Sequence, residues 1–168
     1  SEAKIGNLVD NGQEYTSITL QDEVTGKLGE LTNNGTYYFT QNKDGTYTPT
    51  NVGKDDTVAN SYIPIDLTDV AGEYIIKINA KCSSERTYDT GYATITEDTT
   101  APAYNDETGR FIYESGVKEG QDYTSNILEG GKKYYLHLGY KKDSSRSNGD
   151  DQIVINSINL YQASVSKE

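Results

Sequence analysis

Tryptophan and methionine are absent from the 168 residues, and cysteine and histidine occur once each. With Cys82 alone, no internal disulfide can form, so cysteine usage leaves the redox compartment open. Its register with Tyr74, Ile76, Ile78 and Ala80 marks it as a buried, inert thiol. The single histidine, His137, stands inside "YLHLGY" with no nucleophile signature beside it. No zinc spacing, phosphate-binding loop or dinucleotide fingerprint occurs either, so the chain is expected not to be an enzyme. No apolar run is long enough to cross a bilayer, which excludes membrane insertion by a helix of this segment. The opening "SEAKIGNLVDNG" lacks the charged and apolar regions of an export signal, so any signal or anchor is expected to lie outside the segment. Basic residues are also scarce: 15 Lys and Arg face 26 Asp and Glu, for a net charge of −11. Such a surface repels phosphate backbones and anionic lipids, which argues against nucleic acid as a partner.

What the chain does have is tyrosine, 15 of them, within a hydrophobic fraction of only 33%. Buried area must then come from tyrosine rings and β-branched side chains, which suit sheets better than helix bundles. Period-two alternation recurs in "YTSITLQ", "TYYFTQ", "SYIPIDL", "EYIIKINAKC", "YATIT", "RFIYES", "YYLHLGY" and "QIVINSINLY". Glycine and aspartate turns such as "NNGT", "KDGT", "VAGE", "EGGK" and "SNGDD" separate these runs. No sustained helical stripe occurs. The pattern predicts an all-β fold, an antiparallel β-sandwich of the jelly-roll kind. A boundary at "TEDTTAPAYNDETG" would leave halves of roughly 70 to 100 residues, marginal for separate cores, so residues 1–168 are expected to form one module.

Two stretches share one plan: "GEYIIKINAKCSSERTYDTGYATIT" and "GKKYYLHLGYKKDSSRSNGDDQIVIN" each run from a glycine turn through a Tyr-rich strand and a polar loop to a β-branched strand. They align at an offset of about 60 residues, pairing Tyr74 with Tyr134 and Ile95 with Ile155, as a repeat within one sandwich would. Tyr74, Tyr134 and Tyr140 share the phase of the apolar residues and are predicted to be core. Tyr47, Tyr88, Tyr104 and Tyr113 fall in or near loops and are better placed to meet a ligand.

The segments "NLVDNGQEY", "GEYIIKINAK", "EGGKKYYLHLGYKKD" and "IVINSINLYQA" resemble the landmarks of galactose-binding-like jelly rolls, the group that holds many carbohydrate-binding modules. "ANSYIPIDL", "SSERTYDTGYATIT" and "YYLHLGYKKDSS" are similar to modules of large exported bacterial surface proteins. The resemblance implies an extracellular or cell-surface module whose partner is a glycan or a cell-surface protein. It also implies a structural calcium ion. Asp10, Asp22, Asp66, Asp89, Asp150 and Asp151 stand near strand ends, and Asp150 and Asp151 of "SNGDD" are the candidate metal ligands.

If the strands from Glu73 and Lys133 run in the same direction, the loops "SSERTYDTGY" and "KKDSSRSNGDD" emerge at one end. Glu85, Arg86, Tyr88, Asp89, Lys142, Asp143, Arg146 and Asn148 would then form one candidate ligand-binding surface. Aromatic faces and bidentate hydrogen-bonding groups are what a sugar's C–H face and hydroxyls require. Non-catalytic glycan binding is the leading reading, and a structural or adhesive spacer contacting other proteins is the alternative. Covalent cross-links find no sequence motif: Lys77 and Asn79 lie out of phase with the core, and nothing local supports a Cys82–Gln41 thioester.

Overall fold

The computed structural model describes residues 3–4, 8–10, 13–144 and 150–167, with side chains over 18–144 and 150–164. Its strands are β1 (Ala3–Lys4), β2 (Leu8–Asp10), β3 (Gln13–Glu23), β4 (Thr32–Asn33), β5 (Phe39–Gln41), β6 (Tyr47–Pro49) and β7 (Val58–Asp66). They continue with β8 (Glu73–Ser83), β9 (Thr90–Thr96), β10 (Arg110–Glu114), β11 (Val117–Thr124), β12 (Leu128–Glu129), β13 (Lys133–Lys141) and β14 (Gln152–Lys167). No helix occurs among the described residues. The strands form a nine-stranded and a five-stranded antiparallel sheet, packed as a jelly-roll sandwich. In the larger sheet β8 lies between β14 and the β11–β12 edge, and β14 continues to β3 and to β6. The smaller sheet runs β10-β9-β13-β7-β4.

Alternation decides what fills the sandwich. Tyr74, Ile76, Ile78 and Ala80 of β8 meet Tyr134, Leu136, Leu138 and Tyr140 of β13 in one core cluster with Ile153, Ile155 and Leu160 of β14. The core tyrosines expected from phase are buried, and so is Cys82, whose thiol burial pushes further from ionisation. Ile75, out of phase with that core, packs with Ile18, Leu20 and Ile127 in a second cluster, so β8 is covered on both faces there.

The two repeat copies are distributed across the sandwich rather than along it. β8 lies in the large sheet and its follower β9 in the small one, whereas β13 lies in the small sheet and β14 in the large one. Each copy's first strand pairs with the other copy's second: β8 with β14 from Glu73↔Ala163 to Ser83↔Gln152, and β13 with β9 from Tyr135↔Thr96 to Lys141↔Thr90. The two polar loops therefore cross between sheets in opposite directions at the same end.

The short strands β1, β4, β6 and β12 lie outside the runs read from alternation, and two further elements differ from that reading. "TYYFTQ" contributes only Phe39–Gln41 as strand. β11, "VKEGQDYT", has no apolar alternation because it is an exposed edge that pairs with β8 through its backbone. Its Lys118, Glu119 and Asp122 are the charges that keep an open edge from pairing with another chain.

The outer face of the small sheet carries a steric fit. Tyr92 lies across Gly139, and a Cβ at that glycine would overlap the Tyr92 ring. Beside it His137 is buried, with Nε2 at 2.9 Å from Thr96 Oγ1 and 3.0 Å from the Asp98 carbonyl oxygen. Its Nδ1 is enclosed without a hydrogen-bond partner among the described residues. Burial therefore holds the imidazole below its ordinary pKa, although the Asp98 carbonyl opposes the shift.

Gly139→Ala is expected to lose about 1–3 kcal/mol of unfolding free energy in urea, as overpacking does. A neutral buried imidazole sets a pH dependence. Unfolded His137 takes up a proton near about pH 6.5 and the folded one only lower, so stability falls as pH drops through that window. Urea midpoints of the wild type should decline between about pH 7 and 5.5 more steeply than those of His137→Gln.

Candidate functional site

The first crossover, from Ser84 to Asp89, is a tight turn fixed at several points. The N–H groups of Tyr88 and Asp89 donate to the Glu85 carbonyl at 3.3 and 3.1 Å. Ser84 Oγ donates to the Asp89 carbonyl at 2.9 Å and accepts from the Gly116 N–H at 3.1 Å. Thr87, at φ 70°, donates its N–H to Ser115 Oγ at 3.0 Å. The turn is thus tied to the β10–β11 corner, and what it presents outward is Arg86 and Tyr88, the latter 57% exposed.

The second crossover leaves β13 at Lys142, whose N–H donates to the Thr57 carbonyl at 2.9 Å. Asp143 donates its N–H to Asp89 Oδ1 at 3.0 Å, so the two loops meet. On the return, the Asp150 N–H donates to Ser83 Oγ at 3.1 Å.

Where the two crossovers meet, three charged side chains are sealed from solvent. Lys142 Nζ lies 3.2 Å from Asp89 Oδ2 and 2.8 and 2.7 Å from Asp151 Oδ1 and Oδ2. The Lys142 and Asp89 side chains have no exposed surface, and that of Asp151 has 3%. Asp151 also accepts from Tyr140 O–H at 3.0 Å (Oδ1) and from Gly53 N–H at 2.8 Å (Oδ2). Asp89 and Asp151 are each the last residue before their crossover's returning strand, so both loops deliver a carboxylate to the same lysine. Burial raises the Asp89 carboxyl above its ordinary range despite the opposing pull of the Asp143 N–H and the lysine. Burial alone would depress Lys142, but the hydrogen bonds and charges of Asp151 and Asp89 outweigh it and raise its pKa. Burial, and then the Asp151 charge, push Tyr140 far up, so its hydroxyl stays a donor.

The expected surface residues thus divide. Glu85 and Asp143 are half-buried at the meeting of the loops, while Arg86, Tyr88 and Asp150 are exposed. Asp89, Lys142 and Asp151 are enclosed and bound to one another, which leaves them without a face for an outside ligand. Arg146 and Asn148 lie outside the described residues. The enclosure of Lys142 has a signal in the sequence. Extending the inward phase of Leu136, Leu138 and Tyr140 one step reaches Lys142, and extending that of Ile155 and Ile153 backward reaches Asp151.

Among the described residues, the end of the sandwich does not offer a complete calcium cage. Asp150 is exposed, and both Asp151 oxygens face Lys142. Carboxylate oxygens of Glu85, Asp89 and Asp143 lie within 4.8 Å of one another, and Glu85 Oε2 is enclosed with no donor among the described residues. Calcium takes about six to eight oxygens. Here Asp89 already holds an ammonium on one oxygen and an N–H on the other. Among the described residues the cation bound to Asp89 of this cluster is Lys142.

Along the large sheet next to this end runs an open groove of about 190 Å³, lined by Lys81, Val117, Glu119, Asp150 and Gln152 among others. Val117 is 74% exposed on its rim.

No known protein family matches the sequence, and no curated protein matches it. Solved structures similar in fold include the following two. The enzymatically active domain of tailspike protein 4 from bacteriophage CBA120 shares 14% identity at a TM-score of 0.46, over 85% of this chain and 20% of that one. The CBM22-1–GH10 modules of endo-1,4-beta-D-xylanase 10B from Clostridium thermocellum, complexed with xylohexaose, share 10% identity at a TM-score of 0.41, over 79% of this chain and 26% of that one. The chain therefore spans about a quarter or less of either structure's length. Both likenesses are distant, and neither bears on the chemistry of the loops.

Removing one partner of a buried ionic group costs about 3–5 kcal/mol, because the remaining charges are left uncompensated. Lys142→Met is expected to lose that much in urea unfolding. Adding Asp89→Asn and Asp151→Asn to Lys142→Met should recover part of the loss, since no charge then remains buried.

Proposed function

We propose that this chain is a non-catalytic binding module of an extracellular or cell-surface protein, of the galactose-binding-like kind, and that its ligand is a glycan. The observation that carries the reading is that Tyr88 and Arg86 are both exposed on one turn whose backbone is fixed to buried groups. A sugar offers a C–H face that packs on an aromatic ring and hydroxyls that pair with forked donors. A turn held in place before binding loses little freedom on binding, which favours recognition of a flexible, polar ligand. The adjacent groove adds Lys81, Glu119 and Gln152 as hydrogen-bonding groups and Val117 as an apolar rim. Affinity per site is expected to be weak and raised by repetition of such modules.

Binding is tested with a glycan array, followed by titration calorimetry on any hit. Tyr88→Ala should weaken binding about tenfold, the factor for a loss of about 1.4 kcal/mol, with the melting temperature unchanged because the ring is mostly solvated. An array with no hit, together with saturable capture of a purified cell-surface protein, would instead support the spacer reading.

A further inference from the structure

We propose that Lys142 and Asp151 form an intramolecular amide bond between Nζ and Cγ, with Asp89 as the proton relay. The inference stands apart from glycan binding, because the residues concerned are closed to any outside ligand.

Three features of the geometry support it. First, the Lys142 nitrogen faces both oxygens of Asp151, at 2.8 and 2.7 Å, which brings it against the carbon between them. Amine and carboxyl are thus held at near-attack separation, the condition under which a fixed pair reacts as a single molecule rather than by encounter. Second, both Asp151 oxygens carry a donor, Tyr140 O–H on Oδ1 and Gly53 N–H on Oδ2. Such donors stabilise the charge that develops on oxygen during addition at a carbonyl carbon. Third, a separate carboxylate, Asp89, lies 3.2 Å from the same nitrogen, and burial raises its pKa, which makes it the better acceptor of a proton from that nitrogen. Asp89 itself is the poorer acyl partner, since the lysine meets only its Oδ2 and its Oδ1 receives the Asp143 N–H.

The step balances without an oxidant or cofactor. The Lys142 ammonium gives one proton to Asp151 Oδ2, with which it is in direct contact, leaving a neutral amine and a neutral carboxylic acid. The nitrogen lone pair adds to Cγ, and Tyr140 holds Oδ1 as it becomes the oxyanion. Asp89 takes a second proton from nitrogen and delivers it to the hydroxyl formed from Oδ2. The C–Oδ2 bond breaks with its electron pair on oxygen, and water leaves. One ammonium and one carboxylate become one amide and one water. The bond closes the second crossover into a ring at the end of the sandwich. Exclusion from solvent also protects it from hydrolysis.

Denaturing mass spectrometry of the full chain decides the matter without a variant. The expected mass is lower than the sequence mass by one water. After trypsin, which cuts at Arg146 between the two residues, the Lys142 and Asp151 fragments should remain joined. A mass equal to the sequence mass overturns the proposal, as does a water loss confined to one fragment, the sign of a cyclised aspartate. Lys142→Arg should show the full sequence mass. Asp89→Asn, checked for its fold by circular dichroism, should do the same. If Asp89→Asn is joined to the wild-type extent, the relay role of Asp89 is overturned, and joining through Asp89 in the wild type would overturn the choice of Asp151.

Discussion

A lysine sealed inside a sandwich with two aspartates is the constraint on which the end of this molecule depends. An isolated buried charge is costly, so the ammonium of Lys142 and the carboxylates of Asp89 and Asp151 can be enclosed only together. Each aspartate comes from a different crossover, and each crossover joins a strand of one sheet to a strand of the other. The ionic cluster therefore sets where both loops end and how the sheets meet at that end. Tyr140 and Gly53 extend it into the core and into the segment after β6.

The outward face follows from the inward one. Because Asp89 is drawn down to Lys142, the turn before it is short and tight, and it is held by hydrogen bonds that involve Ser84, Ser115 and Gly116. What cannot be turned inward is Arg86 and Tyr88, which project from a fixed base beside the groove on the large sheet. The charge that holds the fold and the groups available to a ligand are separated by one turn of backbone.

Much of the architecture could be read from alternation. Inward Tyr74, Tyr134 and Tyr140, the buried Cys82 and the strand sequences around them follow from period two, since a half-buried strand has few other ways to arrange apolar residues. The repeat plan was also visible, but not its disposition across two sheets, because strand order is set by pairing between distant segments. β11 escaped for the opposite reason: an edge strand held by backbone hydrogen bonds needs no apolar pattern. The site was legible only in part. The same end of the sandwich gathers Glu85, Asp89, Lys142 and Asp143, as the shared direction of β8 and β13 requires. Charged residues in a Ser- and Gly-rich loop read as solvated, however, and for Asp89 and Lys142 burial reverses that reading.

The sequence by itself determined an all-β chain, its main strands, its core tyrosines and the absence of any disulfide, because these depend on local alternation, turn chemistry and composition. Only the tertiary structure decided which polar residues face water and which face one another. Lys142, Asp89 and Asp151 are far apart or separated by a loop in the chain, and their charges become partners only when two crossovers converge and exclude the solvent that would otherwise screen them.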